Sequence, residues 1–195
     1  MHVTMEELLY RIQFHDDQLA FKALYQQQVF RLYQFAFAFV KQRQPAEEIV
    51  NDVFVKLWEK RHQLDKIGQI RVYLYVAVKN AALNQLRRSS IFTETDLDSL
   101  HVQHFRLEAD TEQLLLTHEL QQAIASAVEQ LPPKCKMIFK LVKQDELSYK
   151  EVAGILGISP KTVDAQLAIA VKKLAARLQC FAPVHALPDA GGKND

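Results

Sequence analysis

The run Leu147-Ser148-Tyr149-Lys150-Glu151-Val152-Ala153-Gly154-Ile155-Leu156-Gly157-Ile158-Ser159-Pro160-Lys161-Thr162-Val163-Asp164-Ala165-Gln166-Leu167 decides the fold. Ser148 and Glu151 have capping-box spacing, in which hydroxyl and carboxylate each satisfy an orphan backbone N–H. Gly157 suits a left-handed helix stop because it has no Cβ. Ile158 plugs the corner, and Ser159-Pro160 is an N-cap followed by a first-turn proline. Ala153 is small where the two helices cross. The pattern is a helix-turn-helix over 149–168. Val163, Leu167, Val171, Leu174 and Leu178 form the expected buried stripe of its second helix. The outer face then shows Lys161, Thr162, Ala165, Gln166, Ile169, Lys172, Lys173 and Arg177. Cations there suit phosphates, while Thr162 and Ala165 suit base edges or a thymine methyl.

Outward from this run, helical spacing continues. Apolar residues recur three and four apart, there is no Asn-Gly or Asp-Gly hairpin signal, and only 5 glycines occur in 195 residues. The expected fold is all-α, with helices at about 4–13, 17–41, 45–61, 68–88, 111–130, 133–144, 149–156 and 160–179. Pro45 is expected at the first position of its helix. Residues 89–110 break the pattern with Ser, Thr and acidic residues, and residues 182–195 read as a disordered tail. The chain thus divides into a helical domain at 1–88, a flexible acidic linker at 89–110 and a second helical domain at 111–181.

The net charge of +1 conceals a strong asymmetry. Residues 1–88 carry 13 basic and 9 acidic side chains, residues 89–131 carry 1 and 8, and residues 132–181 carry 9 and 4. Two basic blocks flank an acidic middle, which indicates segments with different partners. The apolar run Phe35 to Val40, like every other in the chain, is far short of the ~20 residues that span a bilayer. No basic n-region with an apolar core opens the chain, so neither a signal peptide nor membrane insertion is expected. Cys135 and Cys180 read as cytosolic thiols, which places the protein in the cytoplasm.

Two further helices carry informative faces. In the helix at 45–61, Ile49, Val50, Val53, Phe54 and Leu57 form a core stripe edged by Trp58. Glu48, Asp52, Val55 and Glu59 cluster on the opposite side. Carboxylates around a small apolar centre suit docking against Arg or Lys. The helix at 68–88 buries Val72, Tyr75, Val76, Ala82, Leu83 and Leu86, with Lys79 at the edge. Its other face carries Tyr73, Ala77, Asn80, Asn84, Arg87 and Arg88. Asn can bond base edges, Tyr can stack on an unpaired base, and the Arg pair can hold phosphate.

Taken in order, these segments resemble a bacterial RNA polymerase sigma factor of the extracytoplasmic-function (ECF) group, over about residues 17–180. Phe21-Lys22-Ala23-Leu24-Tyr25 and Leu32-Tyr33-Gln34-Phe35-Ala36 resemble the opening helices of its second conserved region. Residues Ala46 to Arg61 are close to its core-polymerase-binding signature. Tyr73-Leu74 through Asn80, then Leu86-Arg87-Arg88, resembles its −10 reading helix. Leu131-Pro132-Pro133 and the helix-turn-helix resemble its fourth region, which reads the −35 element.

The resemblance implies that Glu48, Asp52, Val55 and Glu59 dock on the polymerase clamp helices. It implies that Tyr73, Asn80, Asn84, Arg87 and Arg88 serve the −10 element, and that the outer face of the last helix serves the −35 element. A loop at about Leu64 to Ile70 would capture a flipped base, and the acidic linker would thread the polymerase cleft. Its 22 residues reach up to ~70 Å, against roughly one and a half DNA turns, ~50 Å, between the elements. The aromatic melting segment is thin, with Tyr73 and Tyr75 only. The implied partners are core RNA polymerase, promoter DNA and an anti-sigma factor, often membrane-anchored; no cofactor, metal or enzymatic activity is implied.

Two other readings were weighed. A stand-alone helix-turn-helix regulator explains the C-terminal half and leaves residues 45–88 unexplained. A metalloenzyme, prompted by His101 and His104 with Glu108 and His118 nearby, would set its cluster in or next to the acidic linker, where no complete ligand set is defined.

Overall fold

A computed structural model of the chain describes residues 3–88 and 118–178. Every element in them is helical: α1 (Met5–His15), α2 (Gln18–Val40), α3 (Arg43–Glu59), a 3-10 turn (Arg61–Lys66), α4 (Ile70–Arg88), α5 (His118–Glu129), α6 (Pro133–Lys143), α7 (Tyr149–Leu156) and α8 (Pro160–Leu178). The all-α expectation is met in these residues. Among them no helix is long and apolar enough to cross a membrane. The expected linker at 89–110, the start of the helix expected from 111, Cys180 and the tail at 182–195 lie outside the described residues.

Local chemistry explains the boundaries. Thr4 Oγ1 accepts from the Glu7 backbone N–H at 3.2 Å and starts α1. Asp16 ends α1 in the left-handed region, at φ 49°. Asp17 then starts α2 by accepting from the N–H groups of Leu19 and Ala20, at 2.8 and 3.0 Å. These donors and the Arg11 guanidinium hold the Asp17 carboxyl below its usual range. The Ser148–Glu151 capping box forms reciprocally, and Gly157 closes α7 at φ 72°. Ser159 Oγ accepts from the Thr162 N–H at 3.0 Å and starts α8, with Pro160 in its first position.

Three expectations are corrected. α3 begins at Arg43, with Gln42 as an N-cap that makes no side-chain bond. Pro45 is therefore its third residue, tolerated because a first-turn N–H has no partner within the helix anyway. The segment expected to open as a loop at Leu64 lies partly in the 3-10 turn. Leu64 is buried there, and Gln13 Nε2 donates to Asp65 Oδ1 at 2.9 Å. On α8 the buried stripe runs Val163, Leu167, Ala170 and Leu174, while Val171 is 49 % exposed. At 100° per residue, Ala170 continues the Val163–Leu167 line and Val171 is rotated off it toward water.

The core joins what the sequence separates. One apolar cluster runs from Leu8 and Ile12 through Leu24, Leu32, Val50, Phe54, Leu74 and Val78, and continues into Met137, Ile138, Leu141, Val152, Ile155 and Val163. A smaller cluster of Ala127, Val128, Leu131, Cys135, Ala170 and Leu174 ties α5 to α6 and α8. The two helical regions therefore pack directly on each other, with α4 against α7.

Candidate nucleic-acid and protein interfaces

The strip on α3 is built as the helical period requires. Ile49, Val50, Val53, Phe54 and Leu57 are buried, and Glu48, Asp52, Val55 and Glu59 face water. Val55 is 56 % exposed. It borders an open apolar hollow of about 510 Å³ lined by Gln18, Phe21, Tyr25, Asn51, Phe54 and Trp58. Tyr25 donates to Asn51 Oδ1 at 3.0 Å, and Phe21 packs on Trp58 with ring centroids 4.9 Å apart. Arg61 stacks over Trp58 at 4.6 Å while pairing with Asp16. Phe21 and Tyr25 were not singled out as site residues by their sequence. Their four-residue spacing was the available signal, and that spacing equally fits a buried stripe.

On α4, Asn80, Asn84, Arg87 and Arg88 are exposed, and Tyr73 is half-buried against the core. Tyr75 is fully buried, with its ring against Phe35. Burial holds the Lys79 amine below its usual range. Asn84 and Arg88 share a groove with Glu48, Ile49, Asp52, Lys56, Ala81 and Gln85. The structure thus brings Glu48 and Asp52 of α3 and Asn84 and Arg88 of α4 onto opposite walls of one cleft, a juxtaposition that neither helix alone reveals.

On α8, Lys161, Ala165, Lys172, Lys173 and Arg177 face outward with Ile169. Thr162 is half-buried, and its hydroxyl lies 2.8 Å from Ser159 Oγ. Gln166 turns inward, where its Oε1 accepts from Cys135 Sγ at 3.0 Å. That bond occupies the amide oxygen, so Gln166 stands apart from the other residues expected on this face. His101, His104 and Glu108 lie outside the described residues, as does the side chain of His118. Among the described residues no group of three His, Cys, Asp or Glu could hold a metal ion.

A second polar cluster sits between the two helical regions. Asp145, just beyond α6, is 2 % exposed. Its Oδ2 accepts from the Tyr75 hydroxyl at 2.6 Å. Its Oδ1 makes no hydrogen bond and faces the Arg31 guanidinium at 3.6 Å. Arg71 donates to the Asp145 backbone carbonyl, and Lys140 to Gln34 Oε1. Burial pushes the Asp145 carboxyl up despite these partners. Burial, helped by the Asp145 charge, also pushes the Tyr75 hydroxyl well up.

Comparison with known proteins fits these surfaces. Residues 24–91 match the family described as Sigma-70 region 2, and residues 121–174 match Sigma-70, region 4. The ECF RNA polymerase sigma-E factor of Escherichia coli (strain K12) is 26% identical over 130 residues, covering 62% of this chain and 66% of that relative. The chain thus spans a little under two thirds of that relative. RNA polymerase sigma factor FliA of Yersinia enterocolitica is 37% identical over 71 residues, 36% of this chain and 31% of that one. CnrH, solved in complex with the cytosolic domain of CnrY, shares the fold at a TM-score of 0.52 and 22% identity, over 90% of this chain and 97% of that one. The sigma factor RpoE of Bartonella quintana, solved with the anti-sigma factor NepR, gives 0.52 at 19% identity, over 82% and 96%. With regions 2 and 4 in order on one chain, on the helices that bear the acidic strip and the basic faces, the protein belongs to the sigma-70 family of RNA polymerase sigma factors, in its extracytoplasmic-function group.

Proposed function

We propose that this sigma factor binds core RNA polymerase and directs it to promoters by recognising −10 and −35 elements. The observation that carries the reading is the pair of region matches in one chain, region 2 ahead of region 4. Glu48, Asp52, Val55 and Glu59, with the neighbouring apolar hollow, dock on a basic polymerase surface. Asn80, Asn84, Arg87 and Arg88 contact the opened −10 strand, and Tyr73 stacks there. The Ser148-capped α7, the Gly157 turn and α8 form a helix-turn-helix. It places Lys161, Thr162, Ala165 and Ile169 in the major groove and Lys172, Lys173 and Arg177 on phosphates. Gln166 joins them on release from Cys135.

Polymerase performs the chemistry, and this chain is not an enzyme. It works in the cytoplasm and requires no cofactor. CnrH and the Bartonella RpoE are each held by a protein partner in their solved complexes, and an anti-sigma factor is proposed here by the same logic.

Run-off transcription with purified core polymerase over a promoter library tests the function. Initiation that depends on this chain is expected, and its absence overturns the reading. Glu48→Arg combined with Asp52→Arg tests the docking face. Both side chains are exposed, and the one side-chain hydrogen bond lost among the described residues is the exposed one from Gln44 Nε2 to Glu48 Oε1, so the fold is expected to persist. Charge reversal is expected to weaken core binding at least ~tenfold. Undiminished binding removes these residues from the interface.

A further inference from the structure

We propose that the outer face of α1 is a self-association surface, on which two copies of this chain pair with their α1 helices antiparallel. The helix is apolar on two sides. Leu8 and Ile12 are buried on the inner side, against α2 and the 3-10 turn. Tyr10 and Phe14 are 56 % and 62 % exposed, with Val3, just ahead of the Thr4 cap, at 37 %. At 100° per residue Tyr10 and Phe14 lie ~40° apart and roughly opposite Leu8 and Ile12. A surface helix turns polar residues to water on that side; one with apolar stripes on both sides is built to be covered twice.

The outer stripe is preformed. The Tyr10 and Phe14 rings lie 5.0 Å apart, and Tyr10 also meets the His15 ring at 5.6 Å. Side chains already fixed against one another lose little further freedom when a partner covers them. The match to Sigma-70 region 2 begins at residue 24, so this surface belongs to a segment ahead of it.

Charge selects the occupant. Glu6 and Glu7 stand in the first turn and His15 in the last, with Arg11 between them. Asp17 holds Arg11 in place, accepting from its Nε and Nη2 at 3.0 and 2.7 Å. A helix acidic at one end and basic toward the other complements itself only when antiparallel; parallel pairing sets like charge on like. A two-fold axis crossing α1 near residue 9 places Glu7 of each copy opposite Arg11 of the other. The same axis brings the two Tyr10 rings together and sets Phe14 against Val3, an isologous contact. The helix dipoles also oppose in this arrangement. Glu6 and Glu7 beside the aromatic rings disfavour a nucleic acid there.

The area sets the strength. A whole aromatic side chain offers about 150–250 Å². At their exposures Tyr10 and Phe14, with Val3, present on the order of 300 Å² of apolar surface per copy. With the charged rim, two copies bury less than about 1,200 Å² in total, the range of weak, reversible interfaces.

Sedimentation of the full chain under reducing conditions, at concentrations up to about 1 mM, tests the surface. A reversible monomer–dimer equilibrium is expected. Phe14→Glu and Tyr10→Glu are each expected to raise the dimer dissociation constant at least ~tenfold. Both positions are exposed, and helical circular dichroism checks that the variants fold. Glu7→Lys is expected to raise it about threefold or more at low salt, by a factor that shrinks as salt is added. Phe30→Glu, at a position 42 % exposed on α2, is the control and should leave the dimer unchanged. A chain that stays monomeric throughout overturns the proposal. So does a dimer that survives Phe14→Glu and Tyr10→Glu, or one that Phe30→Glu dissolves equally. A dimer indifferent to Glu7→Lys overturns the antiparallel pairing. A monomeric chain in which Phe14→Glu weakens binding to core polymerase assigns the face to polymerase instead.

Discussion

At the scale of single residues, one glycine within α7 and one at its C-cap separate backbone demand from space. Gly157 has φ 72° and Gly154 an ordinary helical conformation, and a Cβ at either would meet nothing within 4 Å. Gly157→Ala therefore costs about 1–2 kcal/mol, entirely from the left-handed backbone. Gly154→Ala is stabilising by up to ~1 kcal/mol, because it removes a flexible residue from a helix interior. Urea titration of both variants checks the opposite signs. Gly157 was legible in the sequence because its role is local: it stops one helix and starts one turn. Asp145 was not legible. Beside Glu146 it reads as part of a solvated acidic pair, and its Tyr75 partner lies 70 residues away.

At the scale of elements, α8 shows both the strength and the limit of periodicity. The spacing placed the cations outward, and Lys161, Lys172 and Lys173 are exposed. Each phosphate contact releases condensed counterions, so Lys172→Ala and Lys173→Ala should each lower the salt slope of promoter binding by about one. Affinity should fall alike on all sequences, measured with polymerase present. A slope unchanged in the double variant would remove these lysines from the phosphate contacts. Periodicity erred at Val171 because two successive four-residue steps from Val163 rotate it by roughly 80° around the helix, while the seven-residue step to Ala170 stays on the buried line. It gave no sign of the Gln166 bond, because Cys135 of α6 supplies a neighbour that a helical wheel does not show.

At the scale of the whole molecule, the junction of the two regions should make stability depend on pH. Burial lowers the Lys140 amine from 10.5 to about 8, against the attraction of Asp145 and Glu129. In the unfolded chain that amine titrates at its ordinary value. Between those limits the unfolded chain binds more protons, so stability rises with pH. A gain on the order of 2 kcal/mol is expected between about pH 7.5 and 9.5. Denaturant titration at the two pH values measures it, and Lys140→Met should flatten the dependence. An equal gain in that variant would assign the effect to another group.

The helices, their caps, the acidic strip of α3 and the basic face of α8 were determined by the sequence alone. Each depends on residues within one or two turns, where spacing and capping chemistry act. The asymmetry hidden under a net charge of +1 was equally open to reading, since it needs only position along the chain. Tertiary structure alone decided the shared cleft of α3 and α4, the inward turn of Gln166 and the closure of the two regions on Asp145. Those features depend on pairs such as Lys140 with Gln34, 106 residues apart. Such pairs leave no periodic mark, because their burial is set by packing between distant helices rather than by the turn of any one of them.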